Sequence, residues 1–457
     1  MNKKRSAFSG KIGYVLSAAG ASVGLGNIWR FPYLAAKYGG GIFLLVYIIL
    51  ALTFGYTMIV AESALGRMTR KSPVGAFRSF AKGKKVGWLS FGGWINAIIP
   101  VLIVPYYSVI GGWVVKYLFE YIRGNGSKLA EDGYFSGFIS SGGATEICFV
   151  IFCMFTLVII YAGVQNGIER VSKIMMPILI VLSVIIAIYS VTRPGAIEGV
   201  KYFLVPNVNN FSWMTVVAAM GQMFYSLSIA MGILVTFGSY MRKDTSIEDS
   251  TRNVEIFDTA IAMMAGLMII PAVFAFSGGD PDTLQAGPSL MFITIPKVFA
   301  NMGFGTAVGI LFFVLVLFAA VTSSIALTES AVSTFEDELG WGRKKATVLT
   351  GVIMIALGTL SCLGYGPLDF VKIIGMQFLD FFDFLTNSVM MPIAALMTSL
   401  LVSRVIGVDK IEEEIRHGES AFRRKKIFVV MIKYLCPIFA LIILASSVAN
   451  AFGWISM

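Results

Sequence analysis

Long apolar stretches recur along the whole chain, separated by shorter polar segments. Most reach about 20 residues, the length that an α-helix needs to cross a hydrocarbon core of roughly 30 Å. Eleven stretches are predicted as membrane-spanning helices: α1 12–36, α2 42–67, α3 89–120, α4 147–163, α5 168–192, α6 213–240, α7 255–277, α8 305–335, α9 346–363, α10 372–402 and α11 427–452. The pattern therefore predicts an all-α integral membrane protein with eleven transmembrane helices.

The middle of α1 contains residues that interrupt a membrane helix. Two glycines loosen the backbone, Asn27 brings an amide, Arg30 a permanent charge, and Pro32 lacks an N–H donor. In hydrocarbon a helix normally keeps its backbone hydrogen bonds closed. We therefore expect α1 to open here and bind a polar ligand.

The first ten helices form two halves of equal helix number, and each half begins with an interrupted helix. In α6 the interruption is the stretch 221–232, rich in small and polar residues. Paired discontinuous helices predict an inverted five-plus-five repeat with a binding site at the membrane midplane. The predicted units are a transporter core 1–402, with repeats 1–192 and 213–402, a cytoplasmic loop 403–426, and a segment 427–457 comprising α11 and a short outer C-terminus.

Composition and charge agree with a protein in the cell membrane. The chain is 57% hydrophobic and 14% charged, with a mean hydropathy of +0.80. Most of the 36 Lys and Arg residues fall in the N-terminal segment and in alternate loops, which predicts a cytoplasmic N-terminus and an outer C-terminus. The net charge of +10 thus follows from topology next to an anionic inner leaflet, and no nucleic-acid partner is needed.

Enzyme chemistry has little support in this sequence. The single histidine, His417, lies in a charged loop without an acid–base cluster. The four cysteines lie in apolar helices and suggest neither a disulfide framework nor a metal site. We expect residues 409–426 to form a solvated cytoplasmic helix that ends at the membrane surface.

Several separated motifs occur in fixed order over residues 5–400. They are 24–33 with 39–41, Glu62 with Gly66 and Arg67, Tyr106 and Tyr107 with Trp113, 222–232, 287–292, and 322–325 with 336–338. Together they resemble the neurotransmitter:sodium symporters, especially the bacterial members that transport amino acids. The resemblance implies sodium-coupled symport by alternating access.

The resemblance implies an amino-acid site between the breaks of α1 and α6. The substrate carboxylate is expected at the backbone of Leu25 and Gly26 and at the Tyr107 hydroxyl, and its amino group at α6 carbonyls. The full candidate set is Ser22, Leu25, Gly26, Ile103, Tyr107, Tyr225, Ser226, Ser228, Met231, Ser323 and Leu327. Amine-carrying relatives place an aspartate where this chain has Gly24, so the substrate must bring its own carboxylate. A neutral aliphatic or aromatic amino acid fits.

Two sodium sites are implied in the same way. The first comprises the Ser22 carbonyl, Asn27, Ser226, Asp258 and the substrate carboxylate. The second comprises the carbonyls of Gly20, Val23 and Ala319 with the hydroxyls of Thr322 and Ser323. Considered without the family, hydroxyls in a membrane helix more often bond back to their own helix. No feature of the sequence indicates an oligomeric state.

The resemblance also implies two gates, one on each side of the amino-acid site. The outer gate is expected to be Arg30 with Asp383, above a lid of Tyr107 and Tyr225. The inner gate is expected to be Arg5 with Asp337. An intramembrane carboxylate is costly, and Glu62 is expected to accept a hydrogen bond from the freed backbone of α6.

Chloride-dependent relatives surround an anion with a tyrosine, a glutamine and two serines. This chain keeps Tyr47, Gln222 and Ser226 but has Ala262 at the remaining serine position, and Asp258 replaces an asparagine one turn earlier. The carboxylate can supply the negative charge of a bound chloride. We therefore expect chloride-independent transport.

Two other functions share these features. An ion channel would also place polar residues in the membrane, although channels need a continuous pore rather than paired gates. A proton-coupled amino-acid permease could share the inverted-repeat architecture, and sodium-independent uptake would distinguish it.

Overall fold

Two of the predicted spans, α1 and α6, are interrupted in the structure. The computed structural model describes residues 6–81, 87–278, 287–419 and 421–454, and these contain helices but no β-strand. α1 consists of α1a Lys11–Ser22 and α1b 26–37, and α6 of α6a Trp213–Ser226 and α6b Ile233–Tyr240. The prediction of an all-α fold with broken α1 and α6 is confirmed.

Nine further helices in the described residues are long and apolar enough to cross a membrane. They are α2 Gly41–Thr69, α3 Gly87–Ile122, α4 Gly143–Tyr161, α5 Val164–Val191, α7 Ile247–Ser277, α8 Gly305–Leu339, α9 Arg343–Leu363, α10 Phe378–Ile406 and α11 Lys425–Ala451. Shorter helices include Pro73–Ala81, Ala196–Leu204, Leu290–Ala300 and Val408–Arg416. Each predicted span thus corresponds to a long or a broken helix, and the number that cross the membrane stays a prediction.

Two helix boundaries differ most from those expected, by six residues or more. α7 begins at Ile247 because the Ser246 hydroxyl accepts a hydrogen bond from the Asp249 N–H at 2.9 Å and caps the helix. Its polar first turns lie outside the apolar run from which the start at 255 was predicted. α10 begins only at Phe378, because residues 373–376 form a turn closed by mutual backbone hydrogen bonds.

The broken helices lie at the centre of the packing. α1a packs against α7 and α8, α6b packs against α2, and α3 packs along α8. The breaks in α1 and α6 therefore meet between α3 and α8. This arrangement brings freed backbone groups from two helices to one place.

The helix Val408–Arg416 is less solvated than expected. Ile411, Ile415 and Glu414 are buried, and the helix packs on α2. There the fully buried Arg67 donates from Nε to Glu414 Oε1 at 2.7 Å. The expectation of a solvated helix was wrong for this face, because Ile411 and Ile415 form an apolar stripe at i, i+4 spacing.

Candidate functional site

A small cavity of about 30 Å³ lies between the two helix breaks. All eleven residues predicted to contact the substrate line it. Ala21, Gly24, Asn27 and Ile233 also line it. The structure thus brings the predicted set together, while the ligand that it binds stays a prediction.

The break in α1 exposes backbone to two tyrosines. The Leu25 N–H donates to the Tyr107 hydroxyl at 3.2 Å. A Cβ at Gly24 would lie 2.6 Å from Ser323 Oγ, and one at Gly26 would lie 2.5 Å from Tyr225 Cε1. Glycine at both positions therefore permits side chains from α3, α6 and α8 to approach the open backbone.

The break in α6 covers residues 227–232 and has an unusual backbone. Ser228 and Ala230 have φ values of 54° and 59°, in the left-handed region that L-residues rarely adopt. The Ala230 N–H donates to Glu62 Oε1 at 2.9 Å, and Ser228 Oγ donates to the Ala21 carbonyl at 3.0 Å. The prediction for Glu62 is confirmed, and these two bonds hold the open segment in place.

Four buried polar side chains meet beside the cavity. Asp258 Oδ1 accepts from Asn27 Nδ2 at 2.9 Å and from Ser226 Oγ at 2.7 Å, and Asp258 Oδ2 accepts from the Tyr47 hydroxyl at 2.7 Å. The predicted side chains of the first sodium site thus contact one another. An anionic carboxylate with amide and hydroxyl oxygens is a donor set suited to a hard cation.

The second set of predicted sodium ligands joins α1a to α8. Ser323 Oγ lies 3.3 Å from the Gly20 carbonyl and 3.5 Å from the Val23 carbonyl. Thr322 Oγ1 instead bonds back within α8, at 3.2 Å from the Ala319 carbonyl. All five groups therefore lie together. The ordinary back-bonding pattern applies to Thr322 but not to Ser323.

A larger cavity of about 420 Å³ lies on the other side of Tyr107 and Tyr225, which line both cavities. Arg30 and Asp383 line this vestibule, but within the described chain they form no ion pair. The Arg30 guanidinium lies 5.4 Å from the Tyr225 ring centroid, and Asp383 Oδ1 accepts from the Tyr106 hydroxyl at 3.2 Å. The predicted outer gate residues share one space without closing it.

On the opposite side the predicted gate is only partly described. Arg5 lies outside the described residues, and Asp337 Oδ2 accepts from the Ser72 N–H at 2.6 Å. Phe8 is buried and packs edge-on against Phe237 and Tyr240. The Phe8 N–H also donates to the Tyr240 carbonyl at 3.1 Å. Packed side chains thus fill this side, whereas among the described residues a larger cavity lies on the vestibule side.

Sequence reasoning missed Ile233 and Ala21 among the cavity residues. Ile233 is the first residue of α6b and belongs to an apolar run with no distinguishing composition. It follows Gly232, whose φ of 69° redirects the chain at the break. Gly232 was the signal in the sequence that the chain turns before Ile233. The direction of that turn cannot be derived from residue types alone.

Comparisons with known proteins agree on one family. The model of the sodium:neurotransmitter symporter family matches residues 5–127 and 134–453. YhdH of Bacillus subtilis, named an uncharacterized sodium-dependent transporter, is 36% identical over 91% of both chains. The human sodium- and chloride-dependent GABA transporter 2 is 26% identical over 90% of this chain and 75% of its own. A crystal structure of MhsT in complex with L-phenylalanine matches with a TM-score of 0.86 and 36% identity, covering 97% of this chain and all of that one.

Proposed function

The chain belongs to the sodium:neurotransmitter symporter family and is a sodium-coupled transporter, not an enzyme, and we propose that it imports neutral, mainly hydrophobic L-amino acids. The observation that supports this most strongly is the cavity between the two helix breaks. Its wall combines open backbone at Leu25 and Gly26 with the apolar side chains of Ile103, Met231 and Leu327. A zwitterion with an apolar side chain complements both parts.

The charges of the site favour a substrate that carries its own carboxylate. Gly24 contributes no side chain, and a Cβ there would collide with Ser323 Oγ. The Tyr107 hydroxyl accepts a hydrogen bond from the Leu25 N–H and lines the cavity, where it can donate its own proton to an anion. The complex of MhsT with L-phenylalanine supports an amino acid of this kind.

We infer that two sodium ions drive transport. The first would be held beside Asp258 and would contact the substrate carboxylate, and the second would bind between Ser323 and the end of α1a. Each ion would favour the state in which its ligands are assembled, so sodium binding shifts the conformational equilibrium. Transport would run by alternating access in the cell membrane, with the N-terminus cytoplasmic and the C-terminus outside.

Chloride independence is part of the proposal. Asp258 accepts hydrogen bonds from Tyr47 and Ser226, two of the groups that would otherwise surround an anion. A fixed carboxylate at this position balances the charge of sodium. The human relative named as chloride-dependent would differ from this chain in that respect.

Competition binding tests the proposed substrate class. Purified protein in sodium buffer is incubated with labelled L-phenylalanine and a panel of unlabelled competitors. Leucine, isoleucine, methionine and tryptophan should compete, whereas glutamate, lysine and phenethylamine, which lacks a carboxylate, should not. Competition by phenethylamine as strong as by phenylalanine would contradict the proposed carboxylate site.

A further inference from the structure

The exposed surface of α11 contains two lysines. Lys426 and Lys433 are both exposed and lie about two helical turns apart, with Lys433 in the π-helical segment Met431–Leu435. Val430 and Tyr434 beside them are 51% and 61% exposed. Among the residues that the structure describes, neither lysine has a hydrogen-bond or ion-pair partner. Lys425 differs, because it pairs with Glu412 at 2.5 Å.

Lys433 lies well inside the apolar span. It follows the first residue of α11, Lys425, by about 12 Å along the helix axis at 1.5 Å per residue. A cation at this depth on a lipid-facing surface is costly unless its side chain reaches an anion or the headgroup region. A negatively charged neighbour would stabilise Lys433 at this position, and none of the described residues supplies one.

A third cation comes from the adjacent helix. The segment Leu401–Ile406 of α10 packs against Met431–Leu435 of α11. Arg404 in that segment is exposed and, like Lys433, has no partner within the described residues. The antiparallel packing of α10 and α11 brings Arg404 and Lys433 to a similar level in the membrane.

We propose that Arg404, Lys426 and Lys433 bind the phosphate group of an anionic phospholipid. In the orientation proposed above, this lipid belongs to the cytoplasmic leaflet. An arginine fork and two ammonium groups complement phosphate oxygens. The exposed Val430, Tyr434 and Ile438 offer apolar surface beside them for the acyl chains. The lipid would neutralise Lys433 and tie α11 to α10.

Lipid binding by the purified full-length chain tests this site. Fluorescent phosphatidylglycerol and phosphatidylcholine are titrated into protein in a neutral detergent. The parent should prefer phosphatidylglycerol, and each of Arg404→Gln and Lys433→Gln should weaken that preference by about fivefold. Lys433→Arg keeps the charge and should bind as the parent does. Lys410→Gln is the matched control, because Lys410 is exposed on the helix Val408–Arg416, outside the apolar spans.

Three results would overturn the proposal. The first is an unchanged preference for phosphatidylglycerol over phosphatidylcholine in the double variant Arg404→Gln/Lys433→Gln. The second is a loss of this preference in Lys410→Gln or Lys433→Arg as large as in Lys433→Gln. The third is displacement of phosphatidylglycerol by inorganic phosphate at equal phosphate concentration. The last would indicate a site for a soluble anion. Binding of labelled L-phenylalanine is measured on the same samples and should not change, so failure of the lipid site leaves the proposed transport function untouched.

Discussion

At the scale of single residues, Tyr107 has two roles at the central cavity. Its hydroxyl accepts from the Leu25 N–H at 3.2 Å and lines the central cavity, where it can donate to a substrate carboxylate. Both roles depend on one oxygen atom. Its loss is therefore expected to affect substrate binding more than folding.

Tyr107→Phe should weaken substrate binding by about 1.5–3 kcal/mol, the usual contribution of a hydrogen bond to a charged group. Equilibrium binding of labelled L-phenylalanine measures this. Tyr117→Phe is the control on the same helix, because the Tyr117 hydroxyl donates to the Phe292 carbonyl at 2.8 Å, away from the cavity. Parental affinity in Tyr107→Phe would show that the carboxylate is placed wrongly.

Asp258 should determine the response to chloride. The double variant Asp258→Asn/Ala262→Ser removes the carboxylate and restores a second serine one turn away, so transport should become chloride-dependent. Sodium-driven uptake is measured with gluconate in place of chloride, with Ala262→Ser alone as the control that keeps Asp258. An active double variant indifferent to chloride would remove Asp258 from this role, and a parent that stops without chloride would refute the hypothesis.

At the scale of elements, the buried pair of Arg67 and Glu414 connects the helix Val408–Arg416 to α2. Arg67 also donates to the Thr245 carbonyl at 2.5 Å, in the loop between α6b and α7. Three separate segments thus converge on one guanidinium. Both side chains are almost completely inaccessible to solvent, so removing Arg67 leaves the Glu414 charge buried, with Lys243 at 2.7 Å as its remaining partner.

Arg67→Met should destabilise the protein by about 3 kcal/mol, the lower end of the range for a broken buried pair, because Lys243 still faces Glu414. The comparison is Arg78→Met, whose partner Glu338 lies 2.8 Å away but whose side chain is 45% exposed, so that at most about 1 kcal/mol is expected. Thermal unfolding in detergent measures both. Equal midpoints for the two variants would mean that the buried pair does not stabilise this packing.

The broken helices were predictable because their residues conflict with a continuous membrane helix. Glycines, Asn27 and Pro32 in an apolar run indicated the opening in α1, and the matched position of the α6 stretch indicated its counterpart. The packing of Val408–Arg416 was not predicted, since the run of glutamates suggested full solvation. The stripe of Ile411 and Ile415 was present, but nothing in the sequence named the surface that covers it.

At the scale of the whole molecule, the two sides of the cavity differ. Among the described residues, a larger cavity extends from Tyr107 and Tyr225 on the vestibule side, whereas Phe8, Phe237 and Tyr240 pack together on the other side. Arg30 and Asp383 are consequently apart. The sequence motifs predicted that Arg30 and Asp383 act as a pair. They could not predict which conformational state is populated, because such a pair closes in only one state of the transport cycle.

Uptake into proteoliposomes tests the central claim, that a sodium gradient drives amino-acid accumulation, most directly. Labelled L-phenylalanine is supplied outside with sodium, potassium or choline as the only cation, and membrane current is recorded in parallel. Accumulation above the external concentration is expected with an inward sodium gradient, and none with potassium or choline. Undiminished accumulation without sodium, as in a proton-coupled permease, or channel-like currents without proportionate uptake, would contradict this claim.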